Sequence, residues 1–253
     1  MPSKEQKILD YLFKLPNKEQ IRGNPEKVLE AIDEFIRKNT HYMNVGPKKG
    51  KIAIDEIRKI KPKLMIELGC YFGYSAVLFA KELPENDPNA KYFSFELNPD
   101  FANIARQFVD FAGLSHKVEI IVGPAAKSLV NFEASILKKD LRYTAVDFAF
   151  IDHWKDRYVP DLRVLESLNL LAPGTLIIAD NIYRPGAPDY LKYVTSSPEE
   201  RREFHYKVPN DNGKEFLGRW NILYDTKTVR VDDEVGSGYD ELAITKVVDY
   251  LDG

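Results

Sequence analysis

The chain has 253 residues, 44% hydrophobic and 30% charged, with a formal net charge of −3. That supports a sizeable core and gives no basic footprint for nucleic acid. A lone cysteine, Cys70, excludes an intrachain disulfide and fits a reducing compartment.

Ile8, Leu9, Leu12 and Phe13 predict a short first helix that Pro16 stops. Val28, Leu29, Ile32, Phe35 and Ile36 mark one face of a second, which Pro25 starts after Asn24. KKGKIAIDEIRKI reads as a third, ended before Pro62. From residue 63 the pattern alternates. KLMIEL, KYFSFE, KVEIIV, AVDFAFID and TLIIAD are short apolar runs of strand type, separated by segments of helical spacing. That rhythm predicts an α/β fold, doubly wound, with a mostly parallel sheet covered on both faces. After Pro185 we expect a short helix, APDYLKYV, and strands near 203–207 and 219–224. YDELAITKVVDYL reads as a final helix. One domain is expected: a helical cap over 1–62, a core over 63–224 and a C-terminal extension over 225–253. The N-terminus lacks an apolar signal-peptide core, and no run approaches the ~20 apolar residues of a membrane span. A cytoplasmic chain without a membrane or nucleic-acid partner is expected, as a monomer or weak homodimer.

In open α/β sheets ligands bind beyond the carboxyl ends of the strands, and the unusual residues here lie at such ends. ELGCYFGYS places Glu67 at the end of the first strand, then Gly69 and Gly73 before a helix. Glycines there allow a tight turn and close approach of backbone to ligand, although a plain strand–helix connection uses them too. Glu96 ends the next strand, where a carboxylate can accept both hydroxyls of a ribose; Asn98 suits the role of helix cap better. The G-x-G-x-x-G signature of dinucleotide enzymes is missing, which weakens an oxidoreductase reading. An adenosine-bearing cofactor with a positive sulfonium, S-adenosylmethionine, fits these acids better.

IDHWKDRY and TLIIADN end the fourth and fifth strands in Asp152 and in Asp180-Asn181. Two carboxylates and an amide oxygen, without Cys or clustered His, suit a hard cation such as Mg²⁺. Each acid alone is better explained as a strand-end cap; together, with Asn181 adjacent, they favour a metal. Lys155 follows Asp152 by three positions, and a divalent cation beside it would disfavour the ammonium form and leave a usable base. A surface lysine paired with Asp156 or Asp161 is the bland alternative. Trp154 so close to charged groups suggests a cover for a flat ligand.

These pieces, with VLEAIDEF, MNVG, ELNPD, VDFAG and PGAPDYL, resemble the catechol O-methyltransferases, Mg²⁺-dependent enzymes of the Rossmann-like class I methyltransferase fold with its seven-stranded sheet. The likeness runs from KEQKILDYL to about Tyr224. It implies that Asp152, Asp180 and Asn181 hold Mg²⁺ and that Lys155 is the general base. It implies cofactor contacts from Val45, Glu67, Gly69, Ser75, Glu96, Leu97, Gly123, Ala125, Ala126, Asp152, His153 and Trp154. Met43, Trp154, Lys155, Asn181 and Pro185 would border the acceptor. His41 stands where the family pattern has a Trp wall, and Ala125 where it has a Ser. The family's acid toward the second hydroxyl falls on Asp211 or Glu215, with Asn210 in place of an apolar neighbour, so a more polar pocket is expected. The implied function is methyl transfer from S-adenosylmethionine to one hydroxyl of a vicinal diphenol. The rival readings are a related enzyme for another ortho-diphenol such as a caffeoyl conjugate, and a non-catalytic S-adenosylmethionine-binding protein.

Overall fold

The computed structural model describes residues 3–39, 42–140, 142–232 and 238–251. The class is the doubly wound α/β fold that the alternation predicts. Seven strands are present among the described residues, mostly parallel and flanked by helices. The chain divides into two compact units, Met1–Gly123 and Pro124–Gly253.

The first unit opens with helices α1 (Lys4–Lys14), α2 (Lys18–Ile21), α3 (Pro25–Lys38) and α4 (Gly46–Ile60). Sequence chemistry sets their ends. Asn24 caps α3 by accepting from the Lys27 amide at 3.0 Å, with Pro25 in the first turn. Strands β1 (Leu64–Leu68), β2 (Lys91–Glu96) and β3 (Val118–Val122) pair in parallel, with β2 between the others. Helices α5 (Tyr74–Ala80) and α6 (Pro99–Phe111) follow β1 and β2. Every residue of β1 is buried, as expected for a strand covered on both faces.

The β1–α5 turn is held open by its glycines. Gly73 has φ +94°, and a Cβ there would lie 2.9 Å from the Ala105 main chain of α6. Gly73→Ala is therefore expected to cost about 1–3 kcal/mol for backbone conformation alone, with overlap adding to it. Urea unfolding measures this, and a change below about 0.5 kcal/mol, the size of an ordinary surface substitution, would contradict the tight approach of α6.

The second unit holds α7 (Ala125–Phe132), β4 (Phe148–Ile151), α8 (Tyr158–Ser167), β5 (Leu176–Ala179), α9 (Pro188–Thr195), α10 (Pro198–Lys207), β6 (Ile222–Asp232) and β7 (Tyr239–Tyr250). Strand β4 pairs in parallel with β5, which pairs antiparallel with β7, and β7 with β6. Two expectations are corrected here. The strand expected near 203–207 is the end of α10, which Ser197 and Glu200 start with a capping box. The final helix is instead β7, a strand of twelve residues with a neighbour on each side. Pairing on both edges satisfies its backbone and overrides the helical preference of its Glu, Leu, Ala and Lys residues.

Candidate active site

In the first unit the candidate ligand residues gather at the carboxyl ends of β1, β2 and β3. Glu67 is fully buried at the end of β1, opposite Ser94 in the β1–β2 register. Its carboxylate accepts from Tyr92 and Ser94 hydroxyls, each at 2.6 Å. Burial raises its pKa to about 7 against the pull of those hydrogen bonds, with Ser75 among the donors.

A raised native pKa has a definite sign. Between the unfolded value near 4.3 and about 7 the folded chain binds the extra proton, so Glu67 favours folding at low pH. That contribution is lost as pH rises to about 7. The stability difference between wild type and Glu67→Gln is expected to drop by on the order of 2–3 kcal/mol between about pH 4.5 and 7.5. Urea unfolding of both proteins across that range reads it. Parallel stability curves would mean that Glu67 ionises normally.

Glu96 is pinned differently. One carboxylate oxygen accepts from the Cys70 and Tyr71 amides at 3.1 and 2.7 Å, the other from the Asn98 amide at 2.8 Å. The acid thus ties the glycine turn to the end of β2, while Asn98 caps α6 through the Asp100 amide. Tyr71 is held at φ 51°, with its hydroxyl on Glu5. Gly69 lies at φ 97° and Gly123 at φ 145°. Leu97 and Val122 are 57% and 41% exposed, which leaves apolar surface beside a carboxylate, a combination that suits a nucleoside. Val45 is buried, whereas Met43 is exposed. His41 lies outside the described residues.

In the second unit, Asp152 follows β4 and Asp180 follows β5, neighbouring parallel strands. Lys155 Nζ donates to Asp152 Oδ1 at 3.0 Å and to the Tyr158 hydroxyl at 2.5 Å. Tyr158 in turn donates to the Asp180 carbonyl at 3.1 Å, and the Asp180 carboxylate accepts from the Asn181 amide at 2.6 Å. Asp152, Lys155, Tyr158, Asp180 and Asn181 therefore form one connected set. Lys155 pairs with neither Asp156 nor Asp161 in these contacts. Burial holds the Tyr158 phenol far above its ordinary pKa, so it stays neutral.

Among the described residues no group of three or more His, Cys, Asp or Glu gathers as a metal centre. The candidate set is two acids and an amide, which fits a hard cation by its oxygen chemistry. His153 Nε2 donates to Asp161 Oδ2 at 2.7 Å, while its buried Nδ1 lacks a hydrogen-bond partner in the protein. An orphaned buried nitrogen suits a contact with a bound ligand. Trp154 is 74% exposed, a large free face. Ala125 and Ala126 are half-buried at the start of α7, and Pro185 is exposed.

Asp211 is exposed, with Arg157 Nη1 3.8 Å from its carboxylate, and Glu215 is exposed. Asn210 is a fastener of its loop: its amide donates to the Pro160 and Phe216 carbonyls at 3.0 and 2.7 Å. The bond to Pro160 ties this loop to α8. The roles of three residues were not legible as such. Tyr158 sits one helical turn from Lys155, a spacing that was legible. Asp161, which accepts from Asn212 at 2.7 Å and meets His153, and Asp240, on β7, gave no local signal.

Residues 19–200 match the O-methyltransferase family. The chain is 45% identical over 195 residues to the catechol O-methyltransferase of Mus musculus, covering 77% of this chain and 69% of that protein. The chain belongs to the O-methyltransferase family. Against catechol O-methyltransferase B of Danio rerio it is 40% identical over 186 residues, covering 74% of this chain and 67% of the other. The O-methyltransferase from Bacillus cereus shares the fold, with a TM-score of 0.60 at 24% identity and 96% of each chain covered. Membership makes the chain an enzyme of methyl transfer to oxygen. No described helix is long and apolar enough to cross a membrane.

Proposed function

We propose that the enzyme transfers a methyl group from S-adenosylmethionine to one hydroxyl of a catechol-like vicinal diphenol, with Mg²⁺ as cofactor. The observation that carries the reading is the connected set Asp152–Lys155–Tyr158–Asp180–Asn181 at the ends of β4 and β5. Names of the relatives from Mus musculus and Danio rerio support the catechol class. Asp152, Asp180 and Asn181 would hold the cation, which when bound supplies positive charge toward a phenolate and favours two adjacent oxygens over one. Asp152 and Tyr158 hold Lys155 Nζ at two of its positions, leaving the third to take the proton of the acceptor hydroxyl. S-adenosylmethionine, when bound, would supply its sulfonium methyl to the freed oxygen, with the electron pair of the broken S–C bond staying on sulfur.

In the first unit Glu96, Gly69, Ser75 and Leu97 would bind the methyl donor; in the second, Gly123's successors Ala125 and Ala126, with His153 and Trp154, would add contacts. The acids Glu67 and Glu96 suit a cationic donor, and Trp154 suits a flat ring. Met43, Trp154 and Pro185 would border the acceptor, with Asp211 or Glu215 as candidates for its second hydroxyl. A cytoplasmic setting fits the buried free thiol of Cys70.

The reading is tested with labelled S-adenosylmethionine and two isomeric acceptors, a 1,2-diphenol and its 1,3-isomer. The vicinal isomer is expected to be methylated at least about 100-fold faster, since a site built for two adjacent oxygens leaves polar groups unpaired with the other. Equal rates would refute the diphenol assignment while leaving methyl transfer in place.

A further inference from the structure

Asp240 is a buried acid on a strand that carries none of the proposed ligands. The antiparallel register Ala179↔Ala243 brings the start of β7 alongside the residues that follow β5. There Asp240 Oδ2 accepts from the Asn181 side-chain amide at 2.8 Å. Its Oδ1 accepts from the Tyr183, Arg184 and Glu241 backbone amides at 3.2, 2.8 and 2.8 Å. Three backbone donors on one oxygen prevent the carboxylate from turning. A carboxylate can only accept, so the end of the Asn181 amide that faces it must be the nitrogen. The amide oxygen then points to the opposite side. Asn181 itself sits in the left-handed region, at φ 58° and ψ 40°, so its side chain leaves the main chain in a restricted direction.

We propose that Asp240 is a positioning residue: it fixes the polarity of the Asn181 amide so that oxygen, and never nitrogen, faces the cation. The inference rests on the reading of Asn181 as a ligand of Mg²⁺. Without Asp240 the amide could flip and present a partial positive charge to the ion. Outer partners of this kind orient ligands at many metal sites, and their loss typically weakens binding about 10–100-fold.

Reversing the hydrogen bond separates orientation from mere support. In Asp240→Asn the three backbone amides retain the new side-chain oxygen, so its NH₂ group faces residue 181. Asn181 must then flip or lose its partner. In the double variant Asn181→Asp, Asp240→Asn the donor and acceptor are exchanged, and the carboxylate at 181 again offers an oxygen outward.

The measurement is Mn²⁺ affinity of the full chain by electron paramagnetic resonance, without methyl donor or acceptor, so that turnover plays no part. Asp240→Asn is expected to weaken Mn²⁺ binding at least about tenfold. The double variant, whose residue 181 brings a carboxylate charge to the ion, is expected to bind Mn²⁺ at least as tightly as wild type. Wild-type Mn²⁺ affinity in Asp240→Asn, or a double variant no tighter than the single one, overturns the inference. Should Asp240→Asn fail to fold, the double variant decides alone, and binding weaker than wild type by tenfold or more refutes the role. If the wild-type chain itself binds no Mn²⁺ at millimolar concentration, the metal reading fails, and this inference with it.

Discussion

Replacing Lys155 with Met is expected to lower the methyl-transfer rate by about 10²–10⁴-fold, the range for removal of a positioned general base. Methionine keeps an unbranched chain of similar length and removes only the amine. Lys155 stands in the short turn that precedes α8 and is half-buried, so the fold has little reason to suffer. The nitrogen bridges Asp152 and the Tyr158 hydroxyl, and both are expected to stay in place because each has other anchors. Affinity for S-adenosylmethionine should therefore change less than about twofold by calorimetry, far below a decade in binding. Partial rescue by added small primary amines is the distinguishing sign of a missing base. A variant with wild-type turnover would reduce Lys155 to a surface partner of Asp152.

The second large effect is expected at Asp180, which is 1% exposed and follows β5. Asp180→Asn retains a side-chain oxygen for the Asn181 amide, so local geometry can survive. What it loses is one of the two negative charges offered to the cation. Apparent Mg²⁺ affinity is expected to fall on the order of 100-fold, equivalent to about 2.8 kcal/mol. Turnover at low Mg²⁺ should collapse, and high Mg²⁺ should restore part of it. Methyl-donor affinity should persist. A uniform loss that no Mg²⁺ concentration relieves would argue for a structural acid instead.

Much of this arrangement was legible because it is local. The runs that form β1, β4 and β5 are buried throughout, where near-continuous apolar composition is the signal. The strand-end acids stood out because a turn needs no such residues. What escaped depends on partners distant in the chain. Strand β7 is buried through its middle and polar at both ends, so it shows no clean alternation. Its Leu242, Ala243 and Ile244 fit a helix until β5 and β6 claim both edges. The aromatic run FHYK suggested a strand, but a capping box seven residues upstream of Phe204 began a helix first. Asp240 acts on Asn181 only because the β5–β7 register joins them, and nothing near either residue announces that pairing. Asn210 was legible as a polar residue, but its bonds to the Pro160 and Phe216 carbonyls were not.

The most direct test of the account is metal dependence with the purified, chelator-stripped protein and a vicinal diphenol. The set Asp152, Asp180 and Asn181 predicts negligible methyl transfer in excess EDTA and a saturable return of activity as Mg²⁺ is added back. Full turnover in the presence of excess chelator would contradict the claim that these three residues serve a cation.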